Sequence, residues 1–208
     1  MNKDQLIFAK SKPEAIIPSK RTEDAGYDLF AADRSQPIVV GPCQTKEMNS
    51  GIGVACYSTY FPKLFDKGGY GSQGIIVSAG VGDSGFRDSY FICLINTWND
   101  RYLVITPDSE ESIAPHNAFC PRTGTFLTTE ERSILSAYQY QHMEKMEEVM
   151  IRKYYVRKSD VLVKSIHKAI TQMVMLPVPL LKAEEWSWDE FQTIASERGT
   201  GKKGSTGK

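Results

Sequence analysis

The sequence predicts a mainly β subunit, an antiparallel sandwich or barrel, carrying one inserted α-helical segment. Three observations carry this reading. Short β-prone runs recur along the chain, separated by Gly, Pro, Asn and Ser, as antiparallel sandwiches and barrels require. The stretch Gly71–Asn96 reads as a hairpin, with apolar runs Gly74–Val77 and Tyr90–Ile95 flanking the turn-rich Ser78–Ser89. From Thr128 to about Tyr155 there is neither Gly nor Pro, and Ile134, Leu135, Tyr138, His142, Met146, Val149 and Met150 fall at helical spacing.

In chain order, Gln5–Lys10 alternates as a short strand and Pro13–Pro18 is extended, its prolines fixing φ. Arg21–Ala32 is a polar loop turning into a strand, where period two sets Asp28 on the side opposite Tyr27 and Leu29. Pro37–Val40, Thr45–Met48, Ile52–Tyr60 and Leu64–Phe65 are further strand candidates. Asp66–Gly71 is a glycine-rich bend with one lysine, Lys67, whose backbone amides can cradle an anion. In the hairpin bend, Gly80, Gly82 and Gly85 let the backbone approach something flat, with the Asp83 carboxylate in the middle.

Pro107–Thr125 is polar and turn-rich, and Thr128 with Glu131 has capping-box spacing ahead of the long helix. Its Met and Tyr stripe reads as packing surface. Val161–Val163 and Ala169–Pro179 return to strand character, and Gln172 is a polar residue in the latter that needs a hydrogen-bonding partner if buried. Ala183–Ser196 is acidic and aromatic, with a short helix around Trp188–Ile194. Ser196–Lys208 cannot build a core and suits a tail that wraps a polyphosphate.

At 208 residues and 41% apolar content, the chain suits one domain with an insertion or a small appendage. Lys plus Arg equals Asp plus Glu at 25 each, which gives no reason to expect nucleic acid or a membrane surface. No apolar run approaches the ~18 residues of a membrane span, and the start lacks a signal-peptide core. Cys43, Cys56, Cys93 and Cys120 lack Cys-x-x-Cys spacing and read as buried thiols of a reducing cytoplasm. His116, His142 and His167 are too dispersed for a protein-ligated metal.

Five segments, in order, resemble the motifs of the trimeric all-β dUTPases. Ala25–Leu29 resembles the first, and Lys67–Gly71 stands where the second, with its Arg-Ser, belongs. Gly80–Arg87 resembles the third, usually Gly-Val-Ile-Asp-x-x-Tyr-Arg, and Ala169–Gln172 the fourth. Arg198–Gly201 with Gly204–Gly207 resembles the fifth, and Ala15–Arg21 is similar to phage and prophage members. The resemblance implies a jelly-roll homotrimer in the cytoplasm (that of a host if phage-encoded), splitting dUTP to dUMP and pyrophosphate with magnesium on the triphosphate. It also implies an organisation: core 1–98, insertion 99–164 with a helix about 128–157, core strands 165–182, and a C-terminal arm 183–208.

By the same resemblance, Asp83 activates the water that attacks the α-phosphorus, Ala79, Gly80, Val81 and Gly82 read uracil through the backbone, and Phe86 lies under the deoxyribose. Gln172 holds a phosphate oxygen or the water, Asp28 supports through magnesium-bound water, and Arg198, Gly204, Ser205 and Thr206 close over the phosphates. Magnesium is then held by phosphates and water, without direct protein ligands. The departures fall on the second and fifth motifs. Lys67 with Gly68 or Gly69 replaces Arg-Ser, Ser72 and Gly71 lie nearby, Lys203 stands where an aromatic covers uracil, and Gly82 replaces a branched residue and loosens the hairpin. They leave two other readings open: a protein that holds a nucleotide or nucleotide-derived signal, and one whose insertion docks a partner protein.

Overall fold

The computed structural model describes residues 2–128, 130 and 155–196. The chain divides at Val178/Pro179 into two units. In chain order the strands of the first are β1 (Ile7–Lys10), β2 (Tyr27–Leu29), β3 (Ile38–Val40), β4 (Thr45–Ala55), β5 (Tyr60–Asp66), β6 (Ile75–Ser78) and β7 (Ser89–Asn96). They continue with β8 (Tyr102–Thr106), β9 (Ala118–Cys120), β10 (Thr125–Leu127), β11 (Val156–Arg157), β12 (Val161–Ser165) and β13 (Thr171–Pro177). Helices α1 (Gly68–Gly71) and α2 (Glu110–Ile113) are single turns.

Among the described residues the strands form four sheets, ordered β1-β4-β7-β6, β2-β13-β5, β12-β8-β3 and β10-β9-β11. The hairpin is present: β6 pairs antiparallel with β7, Ile75 opposite Asn96 and Ser78 opposite Cys93. Period-two alternation sends Tyr90, Ile92 and Leu94 into the main core. Asn96 is fully buried in the same row and is satisfied, its Nδ2 donating to Val40 O, Gly41 O and Arg101 O at 2.8–3.2 Å. Thr45–Met48 and Ile52–Tyr60 were expected as separate strands, but the first run and the start of the second form one strand, β4. The irregularity is taken up by a register shift between Asn49 and Gly53, around Gly51 at φ +68°. The actual break comes at 56–59, where Tyr60 N donates to Tyr57 O.

The stretch 99–164 is more strand than expected. β8 joins β3 antiparallel and β12 parallel, so both belong to a sheet of the first unit. A parallel pair needs a crossover, and residues 107–160 supply it. Leu103 and Ile105 face the main core, whereas Val104 faces a second cluster with Phe119, Phe126 and Ile113. The sheet is therefore buried on both faces. The long helix was expected to reach about 157, but Val156–Arg157 is a strand, Val156 pairing with Phe119, followed by a 3-10 turn Lys158–Asp160. A β-branched residue over an aromatic favours that pairing. The rest of the helical stripe, 131–154, lies outside the described residues.

The four thiols are free, but the expectation of burial holds for Cys56 and Cys120 alone: Cys43 is exposed and Cys93 half-buried. In the second unit, α3 (Trp188–Gln192) starts from a capping box, Ser187 with Glu190, and stops two residues short of the expected Ile194. Trp188 and Phe191 stack at 5.5 Å, and both are exposed. No helix among the described residues is long and apolar enough to cross a membrane.

Candidate functional site

The β2-β13-β5 sheet brings three of the expected residues together. Gln172 on β13 lies opposite Asp28 on β2 and Phe65 on β5. Lys67 directly follows β5 in extended geometry, and its Nζ forms an ion pair with Asp28 Oδ1. Gln172 is half-buried and its Nε2 donates to Asp66 O at 3.1 Å, which supplies the partner its position demands. Gly26 makes room for that amide: a Cβ there would stand 2.9 Å from Gln172 Oε1.

These residues open onto a cleft of about 540 Å³, also lined by Ser19, Lys20 and Arg21. Arg21 forms a two-pronged pair with Asp24, Nε to Oδ2 and Nη2 to Oδ1, both at 2.9 Å. The hydrogen bond from Arg21 holds the Asp24 carboxyl below the usual carboxylate range. Lys20 Nζ donates to Asp24 O at 2.8 Å. Among the described residues three cations thus face two carboxylates, Asp24 and Asp28, and the cleft suits an anion. Lys20 and Arg21 went unassigned in the sequence; their place beside the first motif was the signal.

Behind Lys67 runs α1. Gly68 and Gly69 face open space, and Gly71 packs against the Asp66 carboxylate. Ser72 ends the turn, its hydroxyl donating to Gly68 O at 2.5 Å, so it is engaged with the backbone of the turn.

Asp83 sits elsewhere. The segment Gly80–Gly82 runs along the edge of β5 opposite β13: Leu64 N donates to Gly80 O at 2.7 Å, Gly82 N to Pro62 O at 2.8 Å, and Val81 bridges Lys63. Ala79 enters it at φ 49°, an uncommon left-handed conformation for a residue with a Cβ. Asp83 and Phe86 are exposed, and Phe86 N donates to Asp83 O at 3.1 Å, closing the turn. With β13 and β5 between them, β2 and this segment stand roughly 14 Å apart at three strand spacings. One chain therefore gathers Asp28, Lys67 and Gln172 but not Asp83, Val81 and Phe86. Arg198, Lys203, Gly204, Ser205 and Thr206 lie outside the described residues.

This architecture is the dUTPase fold, mainly β and of jelly-roll type. The chain aligns over 99% of its length with 99% of the Staphylococcus bacteriophage 80alpha dUTPase solved with dUpNHpp, at a TM-score of 0.60 and 18% identity. A dUTPase variant from phage phi11 of S. aureus, whose structure reveals the coordination of a structural Mg(II) ion, matches 90% of this chain and 100% of its own at a TM-score of 0.55 and 16% identity. Among curated sequences, the Pol polyprotein of ovine maedi visna related virus is 27% identical over 99 residues, 48% of this chain and 9% of the polyprotein. That of caprine arthritis encephalitis virus is 25% identical over 105 residues, 50% of this chain and 9% of its own length. The matched stretch is thus a small part of either polyprotein. No family model matches the chain.

Proposed function

We propose that this protein is a dUTP diphosphatase, releasing dUMP and pyrophosphate. The observation that carries the reading is the Asp28–Lys67–Gln172 cleft, an anion-suited site at one end of a dUTPase-fold sheet. In this reading Lys67 and Arg21 attract the triphosphate, and Gln172 orients a phosphate oxygen or the water. Asp83 takes the proton from the attacking water, a general-base role that its exposed carboxylate allows. Phe86 supports the sugar, and the backbone of 79–82 pairs the base. Because Asp83 and Asp28 sit on opposite flanks of β5, a complete site needs Asp83 from a neighbouring subunit, and a homotrimer supplies it. Arg198, Ser205 and Thr206 then close over the phosphates.

Magnesium fits this cleft as an ion brought in on the ligand's phosphates. Asp28 lines the cleft and offers such an ion one carboxylate, paired here with Lys67. When bound, the ion would neutralise phosphate charge, and Asp28 would be the residue to hold it through water.

A nucleotide-holding protein is the second reading. Ser72 favours it, since its hydroxyl is committed to Gly68 O and does not stand in for the serine missing beside Lys67. Pyrophosphate release from dUTP with magnesium, beside dCTP, dTTP and UTP, separates the two. Selective release from dUTP supports the diphosphatase, and tight binding without release supports the holder.

A further inference from the structure

A second concave site lies away from the Asp28 cleft and shares no residue with it. It measures about 540 Å³ and is walled by the loop after β1, the start of β3, the first half of β4 and the turn between β9 and β10. Lys12, Lys46 and Arg122 line it, one from each of three separate segments, and none of them makes an ion pair among the described residues. Among the described residues its wall carries one carboxylate, Asp33, whose Oδ1 accepts from Ser35 N at 2.9 Å and Ser35 Oγ at 2.7 Å. Among the described residues, three cations against one carboxylate leave a local excess of positive charge in a chain whose net charge is zero. A concave wall focuses such a field on an incoming anion.

The site is also preformed. The β9–β10 turn is pinned to the first wall, because Gly124 takes φ +73° and packs so closely that a Cβ would stand 2.7 Å from Pro37 Cγ. Pro37 and the buried Met48 give the cleft an apolar side beside its cationic one. A volume of this size, with apolar walls and a few convergent polar groups, is that of a small-molecule site.

We propose that this cleft binds a small phosphate-bearing molecule with a flat apolar group, its phosphate on Lys12, Lys46 and Arg122 and its ring against Pro37 and Met48. Lysine supplies point charge and Arg122 a fork that matches two phosphate oxygens. This site is independent of the diphosphatase reading.

Calorimetry on the full chain at low ionic strength, without magnesium, tests it, with adenosine monophosphate and inorganic phosphate as probes. Adenosine monophosphate is expected to bind, with the affinity falling about tenfold or more in Lys46→Gln/Arg122→Gln, the loss of charge-assisted bonds. Lys67→Gln, in the other cleft, leaves this binding unchanged. Inorganic phosphate is expected to compete at the same site but more weakly, since it lacks the ring. Lys12→Gln serves as a second, milder variant, and thermal unfolding checks that each variant folds. Absence of adenosine monophosphate binding, or equal binding in the double variant, overturns the site. Loss in Lys67→Gln instead assigns the binding to the Asp28 cleft and overturns it too. Inorganic phosphate as tight as the nucleotide overturns the role of the apolar side.

Discussion

The ring of Tyr90 occupies the space that a side chain at position 82 would take. A Cβ on Gly82 would stand 2.2 Å from Tyr90 Cε1 and 2.6 Å from its hydroxyl. That hydroxyl donates to Asp83 O at 3.2 Å, and Phe86 packs edge-on against the same ring at 5.4 Å. Gly82 reads in the sequence as a loosening of the hairpin; in the fold the vacated volume is refilled from β7. Tyr90 thereby ties the strand to the backbone of the residue proposed as base.

Gly82→Val should therefore overpack this turn and cost about 1–3 kcal/mol, read as a lower midpoint of thermal unfolding. The swap Gly82→Val with Tyr90→Val should recover much of that loss, because the two positions share one volume and their effects are not additive. A double variant no more stable than Gly82→Val would show that the ring is not what excludes a side chain there.

The Asp28–Lys67 pair is a third or more exposed on each side, at 33% and 41% for Lys67 and Asp28. Such a pair adds less than about 1 kcal/mol to folding, so its position must serve the ligand if it serves anything. Lys67→Ala should leave thermal unfolding nearly unchanged while lowering kcat/KM for dUTP by about 100-fold or more. Lys67→Arg, which keeps the charge, should stay within about tenfold of the parent. A Lys67→Ala protein that unfolds early but hydrolyses normally once folded would make the pair structural.

Asp28 and Asp83 on opposite flanks of β5 give a test of subunit sharing. Asp28→Asn and Asp83→Asn should each be inactive alone. Co-refolded in equal amounts, they should regain up to roughly a quarter of parental activity, since half the chains offer an intact Asp28 and half of the neighbours an intact Asp83. If both residues acted from one chain, no mixed assembly would hold an intact pair and activity would stay absent.

Much of this was legible in the sequence where the signal was local. The β6–β7 hairpin and the alternation around Tyr90, Ile92 and Leu94 follow from period-two burial and glycine punctuation. Asp28, Gln172 and Lys67 could be named in advance, but their meeting depends on the antiparallel register of β2, β13 and β5, which pairs residues far apart in sequence. The break expected between Thr45–Met48 and Ile52–Tyr60 is bridged because tertiary pairing with β7 carries β4 through it as a bulge. Tyr90 filling the place of a side chain at 82, and β8 joining β12 in parallel, are long-range packing facts that no local pattern encodes.

Two buried tyrosines make alkaline stability the last test. Burial pushes the Tyr90 hydroxyl up to about 12 and the Tyr70 hydroxyl higher still. Tyr70 is in the main core, and its hydroxyl has no hydrogen-bond partner among the described residues. For a tyrosine the neutral form is the protonated one, so a raised folded pKa means that the folded state keeps its proton while the unfolded chain, near 10, releases it. Stability is then unaffected below about pH 10 and falls as pH rises from there through about 12. Tyr70→Phe removes a desolvated hydroxyl without opening a cavity, so near neutral pH its unfolding midpoint should equal or exceed the parent's. The variant should also lose less stability across the alkaline range. Tyr90→Phe, which gives up the bond to Asp83 O, should instead cost about 1 kcal/mol. A Tyr70→Phe protein that is less stable near neutral pH would show that its hydroxyl is bonded after all.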